Sequence, residues 1–162
     1  MDGEVLYATL GMFLFHLEDP NLRWAFFRAY NNWIAEFVTH APTRLVGLGL
    51  ISMHDADEAI RELKRVVSLG LKGIMINPSS PKDVPYSSRI FDKFWAVAQD
   101  VRTPVSLHIL NGKERIKLGK GRAASNMKII HEVQDSLTDI IYNGVCERYP
   151  ELKLVSAEND IG

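Results

Sequence analysis

The sequence predicts an α/β fold built on a parallel sheet, and three observations carry that expectation. Short apolar runs alternate with longer segments of helical periodicity, in the order βαβαβαβαβ. The apolar runs are nearly continuous, as in parallel strands buried on both faces, and do not alternate with polar residues. Caps and turn residues fall at the joints between runs and helices. Two arrangements satisfy this pattern: an open doubly wound sheet and a stretch of a (β/α)8 barrel.

Each element has its own signal. Glu4 to Leu10 reads as a buried strand, bounded by the turn residue Gly11. The first helix opens with Asp19 as N-cap and Pro20 at the first helical position, and Pro42 closes it. Its apolar residues Trp24, Phe27, Tyr30, Ile34, Phe37 and Val38 recur at helical spacing. Arg44 to Ile51 is the second strand, whose glycines imply close approach of a packed neighbour. Asp55 with Glu58 three residues later makes a capping-box-like start for the second helix. Ala59, Ile60, Leu63, Val66 and Val67 form its apolar stripe, and Gly70 is its stop. Leu71 to Asn77 is the third strand. A loop rich in Pro, Ser and Tyr follows over Pro78 to Ser88, then a helix around Phe91 to Val101. Thr103 to Leu110 is the fourth strand. Met127 to Arg148 reads as one long helix with Ile130, Val133, Leu137, Ile140, Ile141 and Val145 on one face, and Glu151 to Asn159 supplies the fifth strand.

Composition narrows the function classes. At 162 residues, 46% hydrophobic and 24% charged, the chain fits a single globular domain over 1–162. A formal charge of −1 gives no field to attract nucleic acid or an anionic membrane, so neither is an expected partner. Lys113, Arg115, Lys117, Lys120 and Arg122 form a local basic cluster. Without interleaved aromatics it reads as a solvated loop, or else as a patch for an anionic substrate. Cys146 is the only cysteine, which excludes an intramolecular disulfide; its place inside an apparent helix reads as packing. No apolar run is long enough for a membrane span and none reads as a signal peptide, so a cytoplasmic protein is expected.

Chemistry in parallel α/β folds gathers at the carboxyl ends of the strands. His108 ends the fourth strand and Glu158 the fifth, Asn77 ends the third, and Ser52, Met53 and His54 follow the second. A neutral imidazole there suits a divalent metal or general-base work, and a carboxylate beside it completes either role. A strand-end histidine is also commonly a hydrogen-bonded structural residue, and the residues alone leave both readings open. His40 lies at a helix end, His131 within a helix, and His16 and His54 in loops. No H-x-H, H-E-x-x-H, C-x-x-C, G-x-G-x-x-G or P-loop pattern is present, which disfavours a dinucleotide fold.

The ordered phrases EVLYATLGMFLF, AYNNWIAEFVTHAPTRLVGLGLI, LGLKGIMINP, PYSSRIFDKFWAVAQDVRTPVSLHI and GVCERYPELKLVSAEN resemble the amidohydrolase-related family from about Asp2 to Gly162. That branch of the metal-dependent amidohydrolase superfamily includes decarboxylases similar to aminocarboxymuconate-semialdehyde decarboxylase. The resemblance implies a (β/α)8 TIM barrel with a divalent metal, often zinc, at the carboxyl end, and it makes His108 the metal ligand. It implies an enzyme, a hydrolase or non-oxidative decarboxylase acting on a small carboxylate, amide or ester. Asn111 and the basic loop then border the substrate pocket, with Trp95 beside them if its helix end reaches.

The resemblance is incomplete. The family's H-x-H pair precedes the stretch matched here and its metal-binding Asp follows it. Glu158 stands where many decarboxylase relatives carry a histidine, which makes it the candidate catalytic contact or proton shuttle. A full barrel takes about 250 residues, so the expectation is a partial barrel of about five parallel strands and four helices, incomplete at both ends. Weak metal binding and impaired catalysis follow from that expectation. The alternative is a non-catalytic half-barrel that assembles through its open sheet edges, a homo-oligomer.

Overall fold

A computed structural model describes residues 2–81, 84–113 and 122–158. Five strands, β1 (Glu4–Leu6), β2 (Leu45–Leu50), β3 (Gly73–Ile76), β4 (Val105–His108) and β5 (Leu154–Ala157), form one sheet in the order β1-β2-β3-β4-β5. Every neighbouring pair is parallel. A doubly wound sheet needs a switch in strand order, and this sheet has none. Crossovers of one hand between successive neighbours put all the helices on one face, the arrangement of a barrel wall.

The helices are α1 (Pro20–Val38), α2 (Ala56–Ser68), α3 (Asp92–Asp100), α4 (Arg122–Tyr142) and the single turn α5 (Val145–Arg148). Asp19 accepts from the backbone N–H of Asn21 and Leu22, and Asp55 from that of Glu58, so both expected N-caps form. Gly70 takes a left-handed φ of 85° just after α2, a conformation open to glycine without strain.

The glycines of β2 show which face meets the helices. A Cβ on Gly47 would stand 2.8 Å from Ile34 and 3.0 Å from Val38 of α1, and one on Gly49 would stand 2.8 Å from both Val66 methyls of α2. Odd-numbered positions of β2 therefore face the helices, and Leu48 and Leu50 face inward. The central strands β2, β3 and β4 are buried, and Ile74, Met75, Ile76, Val105 and Leu107 are wholly enclosed with Phe94 and Trp95 of α3 behind them.

Asn31 of α1 supports β2 in an unusual way. β1 ends opposite Gly47, so Leu50 has no strand beside it on that edge. The Asn31 side chain takes the place of a strand: its Oδ1 accepts from Leu50 N at 2.7 Å and its Nδ2 donates to Leu50 O at 3.1 Å. The same Nδ2 donates to the buried Glu62 carboxylate of α2, which Arg65 also binds.

Several expectations need correction. The first strand is three residues long, and Leu10–His16 is a 3-10 helix packed against Leu50 and Tyr30. The long last helix is two, because Gly144 is left-handed at φ 76° and ends α4. Cys146 is exposed and does not pack in the core. Phe37 and Ile141, placed by periodicity on buried stripes, are also exposed. The edge strands are not buried on both faces: Val5 and Val155 stand open. No helix among the described residues is long and apolar enough to cross a membrane.

Candidate functional site at the carboxyl rim

The register of the sheet assembles a row of side chains at its carboxyl end. Ile76 pairs with Leu107 and His108 with Ala157, so continuing the ladder sets Asn77 beside His108, and Ser52 beside Asn77. By alternation this row faces away from the helices, into the concave side of the sheet.

Tyr7, just past β1, reaches the same place. Its ring lies 5.2 Å from the His108 ring at 44°, and its hydroxyl shares a 3.1 Å hydrogen bond with Ser106 Oγ. β1 and β4 are third neighbours, roughly 14 Å apart in a flat sheet. Contact between their side chains requires a curled sheet, which decides for the barrel wall over the open form.

His108 is buried, 3% exposed, at the end of β4. Its Nδ1 lies 2.7 Å from Ile109 O. A carbonyl oxygen only accepts, so Nδ1 carries the proton and donates, and the Nε2 lone pair is left facing the rim. Glu158 Oε2 stands 3.7 Å from that Nε2. Regular alternation after Ala157 would send Glu158 toward the helices. Its left-handed backbone, φ 56°, breaks the alternation, and its carboxylate comes to the histidine. A non-glycine residue in that region costs about 1 kcal/mol or more, and such strain concentrates at functional sites.

The loop after β4 is fixed from several sides. Leu110 is also left-handed, at φ 76°. Asn111 turns inward, fully buried, with its Nδ2 donating to Ile76 O while Asn77 Nδ2 donates to Asn111 O. The expected substrate contact is thus enclosed between β3 and the β4 loop, and its Oδ1 has no hydrogen-bond partner among the described residues. Gly112 lets the loop pass close to Glu132 and Pro78, since a Cβ there would meet the Glu132 carboxylate and the Pro78 ring. Glu132 of α4 accepts from Lys113 N and Ser79 Oγ.

His16 spans the rim, its Nε2 donating to Leu110 O at 3.3 Å, and His54 Nδ1 shares a 3.0 Å hydrogen bond with Ser52 Oγ. A cavity of about 330 Å³ opens here, bounded by Phe15, His16, His54, Asn77 and Lys113. A larger groove, about 580 Å³, lies between Ser79, Ser80, Pro85 and Tyr86 on one side and α4 on the other, lined by Lys128, His131 and Asp135 and not by His108. Of the basic cluster, residues 115, 117 and 120 and the side chain of Arg122 lie outside the described residues. Trp95 does not reach the rim: it is wholly buried and its Nε1 donates to Tyr86 O.

The structure therefore joins His108 and Glu158, and sets Asn111 in the loop that follows His108. Tyr7 was missed by sequence reasoning because nothing local marks it; only the curl of the sheet carries it to His108. Among the described residues no group of three or more histidine, cysteine, aspartate or glutamate side chains is placed to hold a metal ion.

Comparisons with known proteins agree with the architecture. A family model described as amidohydrolase matches residues 7–158. The gamma-resorcylate decarboxylase of Polaromonas sp. (strain JS666 / ATCC BAA-500) is 30% identical over 143 residues, which cover 79% of this chain and 42% of that protein. A 5-carboxyvanillate decarboxylase from Novosphingobium aromaticivorans DSM 12444, complexed with manganese and 4-hydroxy-3-methoxy-5-nitrobenzoic acid, matches with a TM-score of 0.80 at 24% identity. That match covers 96% of this chain and 45% of the other. A dihydroxybenzoic acid decarboxylase from Polaromonas sp. JS666, with bound manganese and the inhibitor 2-nitroresorcinol, matches with a TM-score of 0.69 at 25% identity, over 85% of this chain and 45% of its own. The chain spans about half the length of the relatives it matches.

Proposed function

The chain belongs to the amidohydrolase family, and from that premise we propose that it carries part of the site of a metal-dependent, non-oxidative decarboxylase. The observation that supports this is the setting of the His108 ring: Nδ1 donates to Ile109 O, and the Nε2 lone pair faces the rim with Glu158 Oε2 3.7 Å away. An imidazole fixed through one nitrogen presents the other as a ligand. The decarboxylases among the relatives favour loss of a carboxyl group over hydrolysis, and their names point to a hydroxylated aromatic acid as the substrate class.

His108 fits a divalent cation as one neutral nitrogen donor of a set. Manganese, present in two of the matched relatives, joins zinc as a candidate. When bound, such an ion polarises a substrate carboxylate or phenolic oxygen. The chain's own residues do the rest. Tyr7 packs the His108 ring and Ser106 anchors Tyr7, so the ligand nitrogen is held on a rigid strand. Losing CO2 from a ring carbon leaves an electron pair that takes up a proton. Glu158, with its side chain 62% exposed, is placed to bring that proton from solvent. Asn111 acts on the substrate through the loop it anchors, holding residues 109–113 at the rim.

A single histidine donor among the described residues makes a weak site, because a zinc centre generally uses three or more protein ligands. Metal affinity is therefore low and turnover slow in this chain alone. The test is titration of the purified chain with Mn2+ and Zn2+, with His108→Ala beside it and CO2 release from 2,6-dihydroxybenzoate followed in parallel. Affinity should fall at least about tenfold in the variant. Equal affinity in both proteins would sink the assignment.

A further inference from the structure

A cleft of about 560 Å³ opens between the start of α1 and the loop from β2 to α2. Phe15, Arg23 and Trp24 line one side of it, and His54 and Asp55 the other. These walls belong to successive βα units, and no residue of the edge strands β1 and β5 lines the cleft.

Arg23 is the only cation lining this cleft, and it is 5% exposed. Its guanidinium has five N–H donors to satisfy. Nη1 donates to Leu17 O at 2.7 Å, and Nε has no hydrogen-bond partner among the described residues. The charge of Asp19 reaches the guanidinium, but that carboxylate already accepts from the N–H groups of Asn21 and Leu22. Burial outweighs Asp19 and lowers the Arg23 pKa from its ordinary value. A buried charge is costly unless an opposite charge joins it. The cleft gives an anion the way in.

The remaining walls say which anion. Phe15 and Trp24 are buried and both pack against Phe27, with ring centres 4.6 Å and 6.0 Å from it. That packing fixes two rings beside the cation. A guanidinium takes a carboxylate through two parallel N–H bonds, and a fixed apolar wall beside it suits a planar ring. Glu18 and Asp55 also line the cleft and are exposed to water. Screening keeps them from neutralising the buried guanidinium, yet they oppose entry of a second negative charge. One carboxylate is therefore favoured over a phosphate dianion.

We propose that the cleft at Arg23 is a binding site for an aromatic monocarboxylate, its carboxylate on the guanidinium and its ring against Phe15 and Trp24. The cleft adjoins the rim cavity, with which it shares Phe15, His16, Glu18 and His54. It needs neither His108 nor a metal.

The test uses benzoate as the probe, with EDTA present so that no metal holds a carboxylate at the rim. Calorimetry should show one benzoate per chain, and the Arg23 Nε–H resonance should shift as it binds. Arg23→Gln, with the charge gone, should weaken binding at least about tenfold. Circular dichroism checks the fold of the variant, and the wild-type resonance decides should the variant unfold. Benzyl alcohol, the same ring without the charge, should bind at least about tenfold more weakly than benzoate, and so should inorganic phosphate. No saturable binding up to about 10 mM would overturn the proposal. So would shifts confined to the His108 ring, which would put benzoate at the rim, or phosphate binding as tight as that of benzoate. The metal reading is judged by its own titration, so either can fail without the other.

Discussion

Asn31 does for Leu50 what a neighbouring strand does elsewhere in the sheet, through one side-chain amide bonded to both backbone groups. Replacing it with alanine strands the Leu50 N–H and C=O and removes one donor from the buried Glu62. We expect Asn31→Ala to cost about 2–4 kcal/mol in urea unfolding; a loss under about 0.5 kcal/mol would mean water replaces the amide. The clue was present in the sequence, since Asn31 falls four residues after Phe27 and three before Ile34 on the stripe read as apolar. A polar residue on a buried face asks for a partner, yet the partner lies on another element and periodicity cannot name it. The candidate site divides the same way. His108 was legible because a strand end is a sequence feature. Glu158 was placed by position alone, and its approach to His108 depends on a left-handed φ that no pattern signals. Tyr7 was lost inside an apolar run.

Between elements, Gly49 and Val66 approach closely where α2 lies against β2. A methyl at position 49 meets two Val66 methyls at 2.8 Å. Gly49→Ala should therefore cost about 1–3 kcal/mol. Removing those methyls with Val66→Ala in the same chain should recover part of that cost, with a coupling of at least about 0.5 kcal/mol. Strictly additive losses would show that the strand, and not the helix, resents the substitution. The glycines of Arg44 to Ile51 were read from the sequence as a sign of close packing, and the structure shows what packs. Element ends were harder. Apolar spacing runs through Ile140 and Val145 and suggests one helix, but Asn143 N closes on Asp139 O and Gly144 turns left-handed. Leu10–His16 has no amphipathic period to read, because its conformation follows from Leu50, Tyr30 and the rim.

At the scale of the whole molecule, alternation of strand and helix was legible and the choice between open sheet and barrel wall was not. That choice rests on strand order and on the curl that joins Tyr7 to His108, both properties of the assembled sheet. The assembly is tied on its helical side by Arg148 of α5, which donates to Asp92 of α3 and to Ser87 O. Burial works to raise the Asp92 pKa, and hydrogen bonds and charge from Arg89 and Arg148 outweigh it, holding the carboxyl below its ordinary 3.8. A value lower in the folded than the unfolded chain stabilises fully above the ordinary value, and that stability is lost as pH falls through the folded one. Asp92→Asn should thus cost about 1 kcal/mol at neutral pH, and its gap from wild type should close below about pH 4. A gap that persists unchanged into acid would assign the loss to packing.

The strand order carries one more consequence, for synthesis on the ribosome. Because β1 through β5 lie side by side in the order of translation, each strand finds its earlier neighbour already outside the exit tunnel, and none must wait for a later one. The sheet can grow from its N-terminal edge one βα unit at a time, as repeat proteins do. The price is that the newest edge stays open until the next strand arrives, so nascent chains are most vulnerable to one another while translation pauses between units.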